Sequence, residues 1–214
     1  MTVMKQPADD QGAAEVANFR AELRDMLTSE MSAKPFSELF GVTFGQRGVE
    51  IVGDVLLDAV ESDGYSLDDF DAVGALTAAA VPLVISMVGA ASKRGAELNG
   101  FVMDFVYPSI KGPSIKGKRV LLLDSWLSEK SYVQTSSLVT LRNGNELSLD
   151  FGIVEHEGAK VVAIASLIGG LDNDEDIEVI NPVTQERKEL PFIQAYHESE
   201  LRTFAETEGS QADA

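Results

Sequence analysis

Between Asp124 and Tyr132 the chain places a carboxylate, several hydroxyls and a lysine in one short stretch: Asp124, Ser125, Ser128, Glu129, Lys130, Ser131 and Tyr132. A carboxylate at such a place can hold a sugar diol or a magnesium-bound sugar; it can equally cap the turn that follows it. Lys130 offers a point charge to a phosphate or stays solvated. Trp126 can stack on a base, or pack and find a partner for its indole N–H.

These residues need an element that presents them. Val120 to Asp124 is a short apolar run preceded by turn signals, which predicts a central strand of a parallel sheet. Ligands of open α/β sheets bind just past the carboxyl ends of such strands, so Asp124 and the loop after it stand where chemistry is expected. A second strand end of this kind lies upstream. Phe70 to Leu76 reads as a buried strand, and Pro82 sits near the start of a helix running to about Lys93, where a first-turn proline is tolerated. Thr77 and Ala78 occupy the turn between them with amides available to an anion. Ala79 and Ala80 suit tight helix packing.

The remaining elements follow from periodicity. Val16, Phe19, Leu23 and Leu27 fall at helical spacing within Ala14 to Met31. Gly41 to Leu57 alternates and contains Gly45 and Gly48, which predicts two short strands, Gly41 to Phe44 and Val49 to Val55. Gly100 to Tyr107 and Val161 to Ile168 read as strands. Ile177 to Ile180 and Pro191 to Tyr196 flank a polar turn and read as a hairpin. Ser131 to Glu157 supports both an alternating and a helical pattern, with a hairpin signal at Asn143-Gly144; a helix around Glu146 to Glu157 is the favoured reading. The order argues for an α/β sheet in a single domain over residues 13–204, with disordered tails expected at 1–12 and 205–214.

Composition narrows the function. The net charge of −18 over 214 residues weighs against nucleic acid and against anionic membranes. The absence of cysteine excludes disulfides, thiol nucleophiles and cysteine-bound metals, and fits a cytoplasmic location. The apolar stretch from Ala72 to Ala91 is broken by Pro82, Ser86 and Gly89, and reads as a strand and a buried helix, not a membrane span. His156 and His197 lack metal-ligand spacing, and Asp172 to Asp176 reads as a solvated acidic turn, so no metal site is expected.

Three segments together resemble the type I phosphoribosyltransferases, most closely the orotate enzymes: Asp71 to Leu83, Gly117 to Asp124, and Glu157 to Ile168. The ending Leu190 to His197 is similar as well. The resemblance implies a mostly parallel central sheet flanked by helices, with a small hood from the N- and C-terminal segments. It implies a homodimer, and phosphoribosyl pyrophosphate with magnesium as the substrate complex. It also places Thr77, Ala78 and Ala79 in a pyrophosphate loop, Asp124 and Ser125 at the ribose hydroxyls, and Ser128 to Tyr132 in a 5′-phosphate loop.

The departures from the family pattern are systematic. The second of two adjacent acidic residues is Ser125. The glycines of the phosphate loop are replaced, with Glu129 adding negative charge, so close backbone approach is hindered. Ala79-Ala80 replaces the lysine or glycine followed by glycine of the orotate enzymes, and Tyr107-Pro108 replaces a basic pair. Lys111 is the one candidate for the mobile loop's catalytic lysine. The expectation is an orotate-type protein with weak or no ordinary transferase activity and a binding or regulatory role. The alternatives are an active, atypical transferase acting on a pyrimidine-like base, and a pure interaction protein.

Overall fold

The computed structural model describes residues 8–104, 109–128, 132–134, 148–171, 176–181 and 183–212. Helix α1 (Ala8–Met31) leads through a 3-10 turn (Phe36–Glu38) and α2 (Phe40–Thr43) into α3 (Gln46–Ser62). Then come β1 (Ala72–Ala75), a 3-10 turn (Ala78–Ala80), α4 (Val81–Lys93), β2 (Asn99–Asp104), β3 (Ser109–Lys111) and β4 (Arg119–Leu127). The second half has β5 (Tyr132–Gln134), β6 (Ser148–Asp150), α5 (Gly152–His156), β7 (Lys160–Gly169), β8 (Ile177–Ile180), β9 (Arg187–Leu190), β10 (Phe192–His197) and α6 (Glu198–Ala212).

The buried apolar runs assemble as one sheet in the order β10-β7-β4-β1-β2-β3, parallel throughout except for the antiparallel edge strand β3. Strand periodicity sorts its side chains onto two faces. Leu121, Leu123, Ala163, Ala165 and Leu167 join a core built with α1, α3 and α4. Val120, Leu122, Val161 and Ile164 join a second core with Phe151, Val154, Ile177 and Val179. That second face is covered by α5 and by a smaller sheet of order β6-β5-β8-β9. Each fully buried Leu, Ile or Val in these layers contributes about 1.5–3 kcal/mol. The mostly parallel sheet with its helical layer is the α/β architecture expected from the sequence. Among the described residues no helix is long and apolar enough to cross a membrane.

Several expected elements take another form. The two strands expected in Gly41 to Leu57 are the helices α2 and α3. Ile51, Val52, Val55, Leu56, Ala59 and Val60 form a helical stripe, all buried. Gly45 does mark the turn between α2 and α3, where it caps α3, whereas Gly48 and Gly53 let backbones approach. A Cβ at Gly53 would stand 2.2 Å from the Ser86 carbonyl oxygen of α4, and one at Gly48 would stand 1.9 Å from the Val42 carbonyl oxygen. The polar turn after β8 does close a hairpin, but its second arm is β9; the following segment, β10, returns to the main sheet beside β7. The helix expected around Glu146 to Glu157 is limited to α5, because Ser148–Asp150 pairs as a strand with β5. Helical backbone covers residues 8–12 and 205–212, which the polar composition assigns to tails. Asn143-Gly144 and Asp172 to Glu175 lie outside the described residues.

Candidate functional site

The strand expected to end at Asp124 does not end there. β4 keeps its ladder with β7 through Trp126 opposite Ile168 and Leu127 opposite Gly169, and the Gly170 N–H donates to the Leu127 carbonyl at 2.9 Å. The strand therefore overshoots Asp124 by three residues. The reason is long-range: the partner strand β7 runs to Gly169, and the apolar Trp126 and Leu127 carry β4 along with it. Leu127 is fully buried. Gly170 gives room for this approach, since a Cβ there would stand 3.3 Å from Ser128 Cα and 2.7 Å from Glu198 Oε1.

Asp124 is thereby enclosed, with 3% of its surface exposed. Its Oδ1 accepts from the Thr77 hydroxyl at 2.8 Å and from the Ser125 N–H at 2.6 Å. Burial pushes its carboxyl up to about 6; hydrogen bonds from Thr77, from the Ser125 and Trp126 backbone and from the Ser125 hydroxyl pull the other way.

Above this strand end lies the N-terminal segment. Trp126 stacks on Phe36, ring centroids 6.3 Å apart and planes 23° from parallel. The indole N–H donates to Glu198 Oε1 at 2.6 Å, and the Arg202 guanidinium lies 4.7 Å from the Phe36 ring centre. Of the two roles open to Trp126, the structure gives it the packing one. Phe36, Leu39 and Thr43 close down on Ser125, Leu167 and Ile168, leaving a void of about 10 Å³. A planar base or a sugar phosphate requires far more than that.

The turn after β1 forms as expected. Thr77 has extended backbone (φ −133°, ψ 167°), and α4 begins at Val81 with Pro82 in its first turn. Ala78 is exposed, Ala79 half-buried and Ala80 buried. The Thr77 hydroxyl, however, is spent on Asp124. Lys111 sits on the edge strand, its Nζ 3.7 Å from Asp104 Oδ2. Strand order puts it three strands from β4, about 14 Å at the usual spacing of neighbouring strands, so the structure does not bring Lys111 to Asp124 within one chain. Ser128 follows directly on β4. Glu129, Lys130 and Ser131 lie outside the described residues, and Tyr132 is described only as backbone at the start of β5. The structure thus unites Thr77, Asp124 and Ser125, and leaves Lys111 apart.

A magnesium ion does not fit the groups found here. Of the described carboxylates here, Asp124 is buried and already accepts two hydrogen bonds, Glu198 accepts from the Trp126 indole, and no cluster of three His, Asp or Glu exists among the described residues. His197 has a structural place: its Nδ1 lies 2.6 Å from Ser199 Oγ and accepts from the Ser199 N–H at the start of α6. Sequence reasoning missed Phe36, Thr43 and Glu198. Phe36 had a local signal, an isolated aromatic after Pro35. Nothing local marks Glu198 as the acceptor for an indole 72 positions upstream.

No protein-family model matches the chain. It is 28% identical over 181 residues to an orotate phosphoribosyltransferase of Streptomyces coelicolor, covering 82% of this chain and 86% of that one. It is 30% identical over 148 residues to that of Streptomyces avermitilis, covering 66% and 71%. Among solved structures, a phosphoribosyltransferase from Corynebacterium diphtheriae superposes with TM-score 0.57 at 20% identity, over 86% of this chain and 98% of that one. The orotate phosphoribosyltransferase of Mycobacterium tuberculosis, solved in complex with phosphoribosyl pyrophosphate, gives 0.54 at 18% identity over 86% and 92%. These structures share the fold.

Proposed function

We propose that this chain, which belongs to the orotate phosphoribosyltransferase family, keeps the family's scaffold without ordinary transferase turnover and serves as a binding or regulatory partner. The observation that carries this reading is the run of β4 past Asp124 to Leu127. A phosphate cradle needs backbone N–H groups free to point at the anion. The Trp126–Leu127 segment leading into the expected loop at Ser128 to Tyr132 is held in extended strand against β7, and the carboxylate that should meet a sugar is buried against Thr77. The Phe36–Trp126 stack occupies the space above.

The magnitude favours inactivity over mere slowness. Removing one oriented donor costs about 3–4 kcal/mol at a site of this type. Losing two would slow turnover by a factor on the order of ten thousand to a million. The relative from Mycobacterium tuberculosis binds phosphoribosyl pyrophosphate, and that sugar phosphate is the first ligand to try here. Turnover is measured with phosphoribosyl pyrophosphate, magnesium and a panel of nucleobases including orotate, alongside calorimetry with the donor alone. The expected result is no nucleotide product above the buffer control. Ordinary turnover with any base overturns the reading.

The chain would act as a homodimer. Phe44 and Ile85, 61% and 60% exposed, are apolar surface that a second copy could cover. A monomer by light scattering at high concentration overturns that part.

A further inference from the structure

The void under the N-terminal segment has a chemistry that its apolar neighbours conceal. Thr43 is 3% exposed, and its hydroxyl has no hydrogen-bond partner among the described residues. An unpaired buried hydroxyl costs about 1–3 kcal/mol, so one that persists calls for an explanation. Thr43 lines the same void as Ser37 and Ser125. The volume, about 10 Å³, is at the threshold for one water molecule. Thr43, buried, and Ser125, half-buried, are two polar residues on its wall, with the exposed Ser37 at its rim, which meets the other requirement, two to four polar partners.

Ser125 already belongs to a polar chain. Its N–H donates to Asp124 Oδ1 at 2.6 Å, and Asp124 in turn accepts from Thr77 at 2.8 Å. The Ser125 hydroxyl oxygen has lone pairs for a donor on the side of the void. A hydroxyl such as Thr43 can donate in its turn.

We infer that the void binds a single water molecule that accepts from Thr43 Oγ1 and donates to Ser125 Oγ, completing a buried polar chain from the turn after β1, through Asp124, to the N-terminal segment. The water ties α2 to β4 and keeps the segment seated over the strand end. The inference rests on the closed site described above, but its test involves no turnover, so its failure is separable from any finding of activity.

The substitution Thr43→Val keeps the shape and removes the hydroxyl. With the water bound, the variant loses a bridging partner, and its Tm is expected to fall by about 2–4 °C. With the void dry, valine removes an unpaired polar group and the Tm stays level or rises, which overturns the inference. A crystal structure gives the second readout. Density for one water within hydrogen-bond distance of both Thr43 Oγ1 and Ser125 Oγ is the expected result. Thr43 Oγ1 bonded directly to a protein group, or an empty void, overturns it. Because the two side chains have the same outline, the variant is expected to fold, and the parent's density serves even if it does not.

Discussion

Two neighbouring strands, β1 and β4, reach the same edge of the sheet and part ways there. β1 stops at Ala75, turns through Leu76 to Ala80, and delivers its chain to α4. β4 passes that level and stays paired to Leu127. Both carry the family's order of residues up to the edge. The difference shows that a strand-end site depends on the strand letting go of its neighbour. β1 lets go because Pro82 and the alanine turn commit the chain to a helix. β4 holds on because β7 continues beside it, and because Trp126 and Leu127 gain more by burial than a solvated loop would offer.

That contrast can be broken at Trp126. Trp126→Ala removes the stack on Phe36 and the bond to Glu198, and should cost about 3 kcal/mol in chemical denaturation, with faster amide exchange in the last residues of β4. An unchanged midpoint would mean that the extension is held by β7 alone.

Asp124, shared between the two strands, sharpens it next. Its carboxyl titrates higher folded than unfolded, so the folded state binds the proton more tightly between about pH 4 and about 6. Stability from this group is fully present below pH 4 and is lost as the pH rises through about 6. Asp124→Asn should remove that component, which amounts to about 2–3 kcal/mol. The parent-minus-variant difference, followed by Tm against pH, should decline from pH 4 to 6 and flatten above. A difference with no pH dependence would place Asp124 in a more solvated setting.

Thr77→Val cuts the link from the β1 turn to β4. The loss should be about 2 kcal/mol at pH 7, where the acceptor is ionised, and smaller at pH 4. The smallest effect lies at the opposite end of the strands. There Asp71 accepts from the Arg119 N–H at 2.8 Å and pairs with its guanidinium at 3.2 Å, which holds the Asp71 carboxyl below its usual range. Both side chains are solvent-exposed, so Asp71→Ala should cost about 1 kcal/mol or less. A larger loss would mean that the two strands are coupled from their beginnings.

The same contrast explains what could be read from the residues alone. The β1 turn was legible because its determinants are local: an apolar run, then Thr77, then Pro82 at helical start. The beginning of β4 was legible from Gly117 and Lys118 followed by apolar residues. Its end was not, because the length of a strand is set by the partner it pairs with, and β7 lies some 40 residues on. Gly48 suggested a turn, as Gly45 rightly did, because local sequence cannot tell a glycine that bends the chain from one that admits a neighbouring backbone. Asp124 was legible as the acidic residue within the apolar run of β4. Its inward setting was hidden, since that depends on Phe36 and Trp126 closing over the strand end. Lys111 stands on the edge strand β3, three strands from β4, and nothing in its own neighbourhood distinguishes it from a solvated lysine paired with Asp104.

The contact between α3 and α4 has a dynamic consequence. The Ser86 hydroxyl donates to the Val49 carbonyl and accepts from the Gly53 N–H, so one rung of α3 is completed by a side chain from α4. Neither helix can drift from the other without exposing backbone groups that have nowhere else to bond. The pair should open to solvent as one event, with the amides on both sides of this seam exchanging at a common rate. The helix that follows the β1 turn is thus anchored near its midpoint to α3.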